Sequence, residues 1–150
     1  MKELILIVEA EQRRKYPNIP DHARPRVKYS DKTANSLTKA IIDYLRLKGW
    51  QAERISITGR YIDQSTTYID VLNHTRRIGS GKWIPATGQR GSADISATIA
   101  GRSVKIEVKM KDRQTEAQRE YQRQVESAGG IYLIVRSWKE FKTWYDEVFE

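Results

Sequence analysis

Two short stretches of alternating apolar and polar residues, joined by a glycine-containing turn, constrain the fold of this 150-residue chain more than any other feature. Apolar residues occupy every second position from Ala93 to Ile99 and again from Val104 to Met110. A period of two is typical of β-strands that bury one face. Gly101-Arg102 between them suits a two-residue turn with glycine first. The sequence therefore predicts a β-hairpin with one apolar and one polar face.

The predicted turn fixes a register in which Ile99 faces Val104 and Asp94 faces Lys109. Glu107 then lies diagonally from Asp94 on the polar face. Diagonal neighbours on one face are about 7–8 Å apart, so two carboxylates there can reach one cation. The pattern predicts a site built from Asp94, Glu107 and Lys109. The alternative is an exposed Asp94–Lys109 salt bridge, which would stabilise the hairpin little.

Upstream of the hairpin the chain predicts a helix, an arm, a second helix and a strand. Helical spacing of apolar residues covers residues 2–16, with a strand as the alternative for the LILIV stretch. Residues 17–32 hold three of the four prolines and are predicted to be an extended basic arm. The arm either contacts a nucleic-acid backbone or packs on the domain. Thr33 is the predicted N-cap of the second helix, Gly49 ends it, and residues 50–57 form a strand.

The connection 58–92 is rich in glycine and positive charge and is predicted to form a hairpin flap that embraces the substrate. Short strands are predicted at 68–72 and 82–84. Aromatic residues among cations suit base stacking and phosphate contact. The alternative for Trp83 is a core-capping role. The predicted nucleic-acid contacts of this segment are Arg76, Arg77, Lys82 and Arg90.

After the hairpin, Lys111 and Arg113 add positive charge near the carboxylates and are also predicted to contact nucleic acid. Thr115 and Gln118 form a capping-box pattern that opens a helix reaching about residue 128. Gln118 either satisfies the helix N-terminus or projects toward the site. The apolar run 131–135 predicts a buried strand, and a last helix follows it.

Composition limits the classes of function. The formal net charge of +8 favours a polyanionic partner, because phosphates attract clustered Lys and Arg. The absence of cysteine excludes disulfides and thiolate metal sites. No secretory signal and no stretch of membrane-spanning length is apparent, so a cytoplasmic protein without a membrane partner is expected.

Asp94 followed after a short hairpin by Glu107-Val108-Lys109 resembles the core motif of the PD-(D/E)XK nuclease superfamily. The Gly-Ser-Ala-Asp segment and the helix that carries Gln118 are similar to its VRR-NUC branch, which includes phage and repair-associated nucleases. The resemblance covers roughly residues 33–136. It implies an α/β fold with a mixed central sheet in the order α-β-β-β-α-β, flanked by helices. An added helix is then expected at each end of a single domain spanning residues 1–150.

The resemblance also implies a function. The expected activity is that of a Mg²⁺- or Mn²⁺-dependent endonuclease, a hydrolase that cleaves DNA phosphodiester bonds in phage DNA processing or DNA repair. Asp94, Glu107, Lys109 and Gln118 would be catalytic, and Asp94, Glu107 and the carbonyl of Val108 would hold the metal. The partner would be duplex or branched DNA, and a homodimer would suit a symmetric junction.

One position departs from the family pattern. The first core helix of the family often supplies a further carboxylate, and the matching residue here is Ser36, beside Asn35. This departure supports an alternative function, a catalytically silent nucleic-acid-binding module that keeps the nuclease fold.

Overall fold

The computed structural model describes residues 1–56, 59–86 and 88–150, which form four α-helices and eight β-strands. The chain separates into two compact units. The first consists of Met1–Ile55 and Gly91–Glu150, and the second of Ser56–Arg90. The fold is mixed α/β, in agreement with the predicted class. None of the helices in these ranges is long and apolar enough to cross a membrane.

The elements follow one another in an order close to the predicted one. They are α1 (Lys2–Lys15), α2 (Ala34–Leu47), β1 (Gln51–Arg54), β2 (Arg60–Asp63), β3 (Thr66–Ile69), β4 (Thr75–Ile78), β5 (Gly81–Ile84), β6 (Ile95–Ile99), β7 (Arg102–Val108), α3 (Glu116–Ser127), β8 (Ile131–Val135) and α4 (Trp138–Phe149). The strand predicted at 50–57 is shorter, since β1 ends at Arg54; position 57 lies outside the described residues.

The first unit is built on a four-stranded sheet of order β1-β6-β7-β8. β6 is antiparallel to β1 and β7, whereas β7 and β8 are parallel. Parallel neighbours need a crossover connection, which α3 supplies here. The elements α2, β1, β6, β7, α3 and β8 therefore follow the predicted order α-β-β-β-α-β, with the second unit inserted between β1 and β6.

The register of the central hairpin differs by two residues from the predicted one. Ile95 pairs with Ile106 and Ile99 with Arg102, so the prediction that Asp94 faces Lys109 is wrong. The turn is Ala100-Gly101, and both residues have positive φ, 48° and 78°. Positive φ at both central positions is the type I′ geometry, which matches the twist of the flanking strands. Continued by one residue, this register brings Asp94 opposite Glu107.

The apolar face of the hairpin forms the core, as predicted. Ile95, Ile99, Val104 and Ile106 are fully buried. Helices α2 and α4 cover this face of the sheet, and Tyr44 of α2 lies edge-on to the rings of α4. The buried apolar residues of the two helices are Leu37, Ala40, Ile41, Ile42, Tyr44, Leu45, Trp138, Phe141 and Tyr145.

The N-terminal segments pack on this unit. α1 forms as predicted and buries Leu4 completely. In the arm that follows, the Tyr29 hydroxyl donates to Asp43 Oδ2 of α2 at 2.7 Å. Asp31 Oδ2 accepts a hydrogen bond from the backbone N–H of Trp138 at 3.2 Å. These contacts favour the packed alternative for this part of the arm.

The second unit is a two-tier hairpin. β2 pairs with β5, and β3 pairs with β4 nearer the tip, all antiparallel. A hairpin agrees with the prediction for this connection, of which positions 58 and 87 lie outside the described residues; its contact with a substrate stays a prediction. The strand predicted at 68–72 is wrong in its bounds, because β3 ends at Ile69 and the chain turns at Asp70, whereas the strand predicted at 82–84 lies within β5. The sequence did not predict β2 and β4. Asp70 organises the tip: its Oδ1 accepts hydrogen bonds from the N–H groups of Leu72 and His74, both at 2.9 Å.

Candidate functional site

Asp94 lies just before β6, where its backbone and side chain join three strands. Its carbonyl accepts a hydrogen bond from Ile55 N at 2.8 Å, immediately after β1. Its Oδ2 accepts one from Val108 N, the last residue of β7, at 2.9 Å. The Asp94 carboxylate is therefore fixed at the end of β7, next to the segment that carries Glu107 and Lys109.

Gly91 allows the segment before Asp94 to approach the start of α3. Its φ is +85°, and a Cβ built there would lie 2.4 Å from the carbonyl oxygen of Ala117. A side chain at this position would collide with helix backbone, which cannot move aside easily. Glycine is therefore required for this close approach, and the approach brings Asp94 and the first turn of α3 to the same part of the molecule.

Glu107 is the centre of the candidate site. Its side chain lies on the polar face of β7, yet the residue is only 3% exposed. Lys109 Nζ contacts Glu107 Oε1 at 3.2 Å, and Gln118 Nε2 donates to the same oxygen at 2.5 Å. The other oxygen, Oε2, is buried without a hydrogen-bond partner among the described residues. One carboxylate oxygen is thus doubly satisfied and the other is left free.

The electrostatic environment disfavours a negative charge on Glu107. Burial is the main reason that its pKa is raised, and the nearby negative charge of Asp94 raises it further. Lys109 and, to a smaller extent, a hydrogen bond from the backbone N–H of Asp94 lower the pKa of Glu107 without cancelling these two effects. Carboxylates whose pKa is shifted by burial and by a neighbouring charge cluster at functional sites, which makes this pair a candidate site.

Gln118 meets both predictions made for it. Its Oε1 accepts a hydrogen bond from Thr115 N at 3.0 Å, and its backbone N–H donates to Thr115 Oγ1 at 3.3 Å, which completes the capping box. Its Nε2 is then directed to Glu107. The two ends of one amide therefore fix the helix terminus and orient the carboxylate.

Sequence reasoning missed Tyr132. It pairs with Lys105 in the parallel ladder, so its side chain lies on the same sheet face as Glu107. No hydrogen bond of ordinary geometry is made by the buried Tyr132 hydroxyl in the described structure, although the Gln114 side chain lies near enough to lower its pKa. Burial, followed by the negative charge of Glu107, raises the pKa of Tyr132 to about 12. The apolar run around Tyr132 gave no sign of which way it faces.

The other predicted site residues lie on the connection after β7 and in the second unit. Lys111 and Arg113 are exposed on the connection between Lys109 and α3. In the second unit, Arg76 and Arg77 form ion pairs with Asp70 and Asp63. Lys82 is exposed on β5, and Arg90 is exposed at the end of the same unit.

Helix α2 contributes no carboxylate to the site. The Ser36 hydroxyl lies 2.8 Å from Thr33 Oγ1 within the N-cap, and Asn35 Oδ1 accepts from Arg54 Nη2 at 2.6 Å. Both side chains are used locally, at the helix terminus and between α2 and β1.

The oxygen ligands Asp94 and Glu107 could hold a divalent cation. Oε2 of Glu107 is a buried acceptor that lacks a donor, and a cation would supply the missing positive charge. In the described ranges, no three or more His, Cys, Asp or Glu side chains lie close enough together to hold a metal ion. A cation would therefore rely on two carboxylates, a backbone carbonyl such as that of Val108, and water, which suits Mg²⁺ or Mn²⁺.

Models of known protein families give no match to this chain, and no curated protein matches it significantly. Inference about its function therefore depends on the side-chain geometry and on the order of the motif residues.

Proposed function

We propose that this chain is a Mg²⁺- or Mn²⁺-dependent nuclease that hydrolyses DNA phosphodiester bonds, with Asp94, Glu107 and Lys109 at its centre. The observation that carries the proposal is the unpartnered oxygen of Glu107, buried beside a second carboxylate. Burying a charged group costs several kcal/mol, and an ion pair offsets this only when the remaining lone pairs are satisfied. A purely structural pair would be expected to satisfy both oxygens.

The side chains around Glu107 have separate roles in this proposal. Gln118 and Lys109 both contact Oε1, so Glu107 keeps one orientation and Oε2 remains for the cation. Asp94 provides the second carboxylate, and its bond to Val108 N holds it in place. Lys109 also carries the positive charge that would orient the attacking water or stabilise charge on the phosphate. A cation bound here would polarise the phosphate and lower the pKa of a bound water.

The family, setting and partners belong to the same proposal. The ordered motif residues support membership of the PD-(D/E)XK superfamily in its VRR-NUC branch. Structure-specific cleavage of junctions or flaps, in phage DNA processing or repair, follows from that resemblance. A cytoplasmic location and a homodimer on symmetric junctions are proposed on the same basis. The net charge of +8 supports a DNA partner independently of the family.

The test combines cleavage with metal binding. Wild type and Asp94→Asn are incubated with linear, flap and four-way-junction DNA in Mg²⁺ or Mn²⁺, and both proteins are melted in EDTA and in Mn²⁺. Asp112→Asn is the matched control, since Asp112 is an exposed aspartate close to the site in sequence. Wild type and the control should cleave DNA and gain thermal stability from Mn²⁺ by mass action. Asp94→Asn should lose both effects.

In EDTA, Asp94→Asn should be as stable as wild type or slightly more stable, because it relieves repulsion with Glu107 while an amide oxygen can still accept from Val108 N. If Mn²⁺ shifts neither melt, or shifts the two equally, Asp94 is not a metal ligand and the nuclease proposal fails.

The second candidate function is a catalytically silent nucleic-acid-binding module. The observation that favours it is the local use of Ser36 and Asn35, which leaves helix α2 without a metal ligand. This function would replace the first if the protein binds DNA in a salt-dependent way, cleaves it in neither metal, and melts at the same temperature with and without Mn²⁺.

A further inference from the structure

Two exposed aromatic side chains face the same way on the lower tier of the hairpin in the second unit. Tyr61 of β2 and Trp83 of β5 are Cα partners in the antiparallel ladder, so both lie on one face of the ribbon. Tyr61 is 62% exposed and Trp83 60%. Two adjacent exposed aromatic side chains form a contiguous apolar patch, and such patches mark interaction sites more often than single exposed residues do.

Each ring lies over a glycine of the opposite chain segment, Tyr61 over Gly81 at the start of β5 and Trp83 over Gly59 just before β2. A Cβ built at Gly81 would lie 1.7 Å from Cζ of Tyr61, and one built at Gly59 would lie 2.7 Å from Cε2 of Trp83. The two rings therefore occupy the space that side chains at these positions would fill. They rest against the ribbon backbone, with their other surfaces open to solvent. We call Tyr61 and Trp83 the aromatic platform.

The charge of this unit indicates the chemistry of the ligand. Residues 56–90 include two acidic side chains, Asp63 and Asp70, and five basic ones: Arg60, Arg76, Arg77, Lys82 and Arg90. Both aspartates are already paired with arginines. Arg60 and Lys82 each precede a platform residue in sequence, so their side chains start from the opposite face of the ribbon, and neither forms an ion pair among the described residues. The hairpin as a whole therefore carries an excess of unneutralised positive charge, which complements a polyanion.

We infer that the aromatic platform binds unpaired bases of single-stranded DNA, with the long side chains of Arg60 and Lys82 reaching the phosphates past the open edges of this two-stranded ribbon. Aromatic rings beside cations are the usual means of holding a single strand, because every base has a face that can stack. Bases inside an intact duplex are already stacked on each other and offer no free face. As a statement about substrate class, this inference rests on the proposed function, and it assigns to the enzyme DNA that contains a single-stranded segment.

The test measures binding by the full chain in EDTA, so that no cleavage occurs. The probes are a fluorescently labelled oligothymidylate and a blunt duplex of equal length. Trp83→Ala should weaken binding of the single strand about tenfold, equivalent to about 1.4 kcal/mol, and binding of the duplex less than about twofold. Trp83→Phe should retain most of the affinity. Circular dichroism and melting curves check that each variant is folded.

Two further variants separate the platform from general effects. Gly81→Val adds a side chain where the Tyr61 ring lies and removes no aromatic group, so it should weaken single-strand binding as Tyr61→Ala does. Tyr68→Ala is the matched control: Tyr68 is a 46% exposed tyrosine on the same hairpin, paired with Arg76 and not lying over a glycine. It should change the affinity less than about twofold.

A charge variant tests the phosphate contacts. Arg60→Gln with Lys82→Gln should weaken binding of both probes and reduce the salt dependence of single-strand binding by about 1.4 in the log–log slope. The platform variants should leave that slope unchanged, because the replaced side chains are neutral.

The inference and the proposed function can fail separately. Loss of single-strand affinity in the folded platform variants supports the inference whether or not the protein cleaves DNA. If Trp83→Ala and Gly81→Val bind the single strand like wild type, or if Tyr68→Ala is equally impaired, the platform is not the base-binding site. That result would overturn the inference even if Mg²⁺-dependent cleavage is observed.

Discussion

Variants at Gln118 and Thr115 separate the two roles of the Gln118 amide, which caps helix α3 and binds Glu107. Gln118→Met keeps the size and shape of the side chain but removes the donor to Glu107 and the acceptor for Thr115 N. Thr115→Ala removes the other half of the capping box and leaves the contact between Gln118 Nε2 and Glu107 in place. Thr115→Ala therefore loses only a contact of the helix cap, whereas Gln118→Met loses a contact of the cap and also the hydrogen bond that holds the Glu107 carboxylate.

The expected magnitudes follow from these contacts. Loss of the Thr115 N-cap should cost about 1 kcal/mol, or about 2–4 °C in melting temperature for a chain of this size. Loss of a hydrogen bond to a charged acceptor costs about 1.5–3 kcal/mol. The loss of stability in Gln118→Met should lie near the lower end of this range, because Lys109 still contacts the same oxygen of Glu107. A group that orients a metal ligand is typically worth about 10- to 100-fold in metal affinity or activity.

The assay is a Mn²⁺ titration followed by thermal melting, with DNA cleavage measured in parallel well below the melting temperature. Thr115→Ala should melt lower in EDTA and keep its Mn²⁺ affinity and cleavage rate. Gln118→Met should melt lower and lose about tenfold or more in both. If Gln118→Met loses only stability, or if Thr115→Ala loses as much Mn²⁺ affinity, Gln118 is a helix cap and does not position Glu107.

Three other outcomes are expected. Lys109→Ala should reduce turnover of bound substrate strongly while DNA affinity stays within several-fold, and a collapse of affinity with normal turnover would make Lys109 a phosphate contact only. The double variant Lys111→Gln and Arg113→Gln should weaken duplex binding and reduce the log–log slope of affinity against salt by about 1.8. Lys139→Gln, which changes an exposed lysine on α4, is the control and should have neither effect. If the control weakens binding equally, Lys111 and Arg113 are not specific contacts of the DNA. The pKa of Glu107 is raised above its ordinary value of 4.5, so the folded state holds the proton more readily and loses stability as pH rises through the raised pKa. In EDTA the melting temperature of Glu107→Gln relative to wild type should therefore increase from about pH 5 to about pH 8, and a constant difference would contradict the electrostatic account.

Local signals in the sequence were sufficient to predict the order of the core elements. The period-two pattern of β6 and β7 identified two strands and their apolar face. Capping side chains at Thr33 and Thr115 marked two helix starts, and each accepts the expected backbone hydrogen bond. These features depend on residues that are close together in the chain, so the amino-acid sequence alone was enough to predict them.

The hairpin register could not be obtained in the same way. Two registers that differ by two residues place the same side chains on the same faces, so the apolar pattern supports both equally. The turn decides between them, and here Ala100 adopts a positive φ of 48° that non-glycine residues seldom take. Turn rules therefore favoured Gly101 as the first central residue. The prediction still gave the correct polar face, with Asp94 and Glu107 on it, but the wrong partner for Asp94.

Burial of the site depends on tertiary contacts that no short segment encodes. Alternation along β7 assigns Glu107 to the polar face, which in isolation would be solvated. α3 lies against that face, with Tyr121 edge-on to Tyr132 and Gln118 bonded to Glu107. The close approach at Gly91 brings the Asp94 segment to the same helix. Only this combination removes the carboxylate from water.

Each of these contacts has an ordinary structural explanation when considered alone. The capping box begins a helix, the glycine permits close packing, and the lysine neutralises a neighbouring acid. Together, however, they direct two donors to one oxygen of Glu107 and leave the other buried, beside a second carboxylate and near an unsatisfied Tyr132 hydroxyl. That arrangement destabilises the fold, because a buried charge without a full set of partners is costly. Such locally unfavourable arrangements concentrate where a ligand completes them, which is the physical reason for seeking the cation and the scissile phosphate at Glu107.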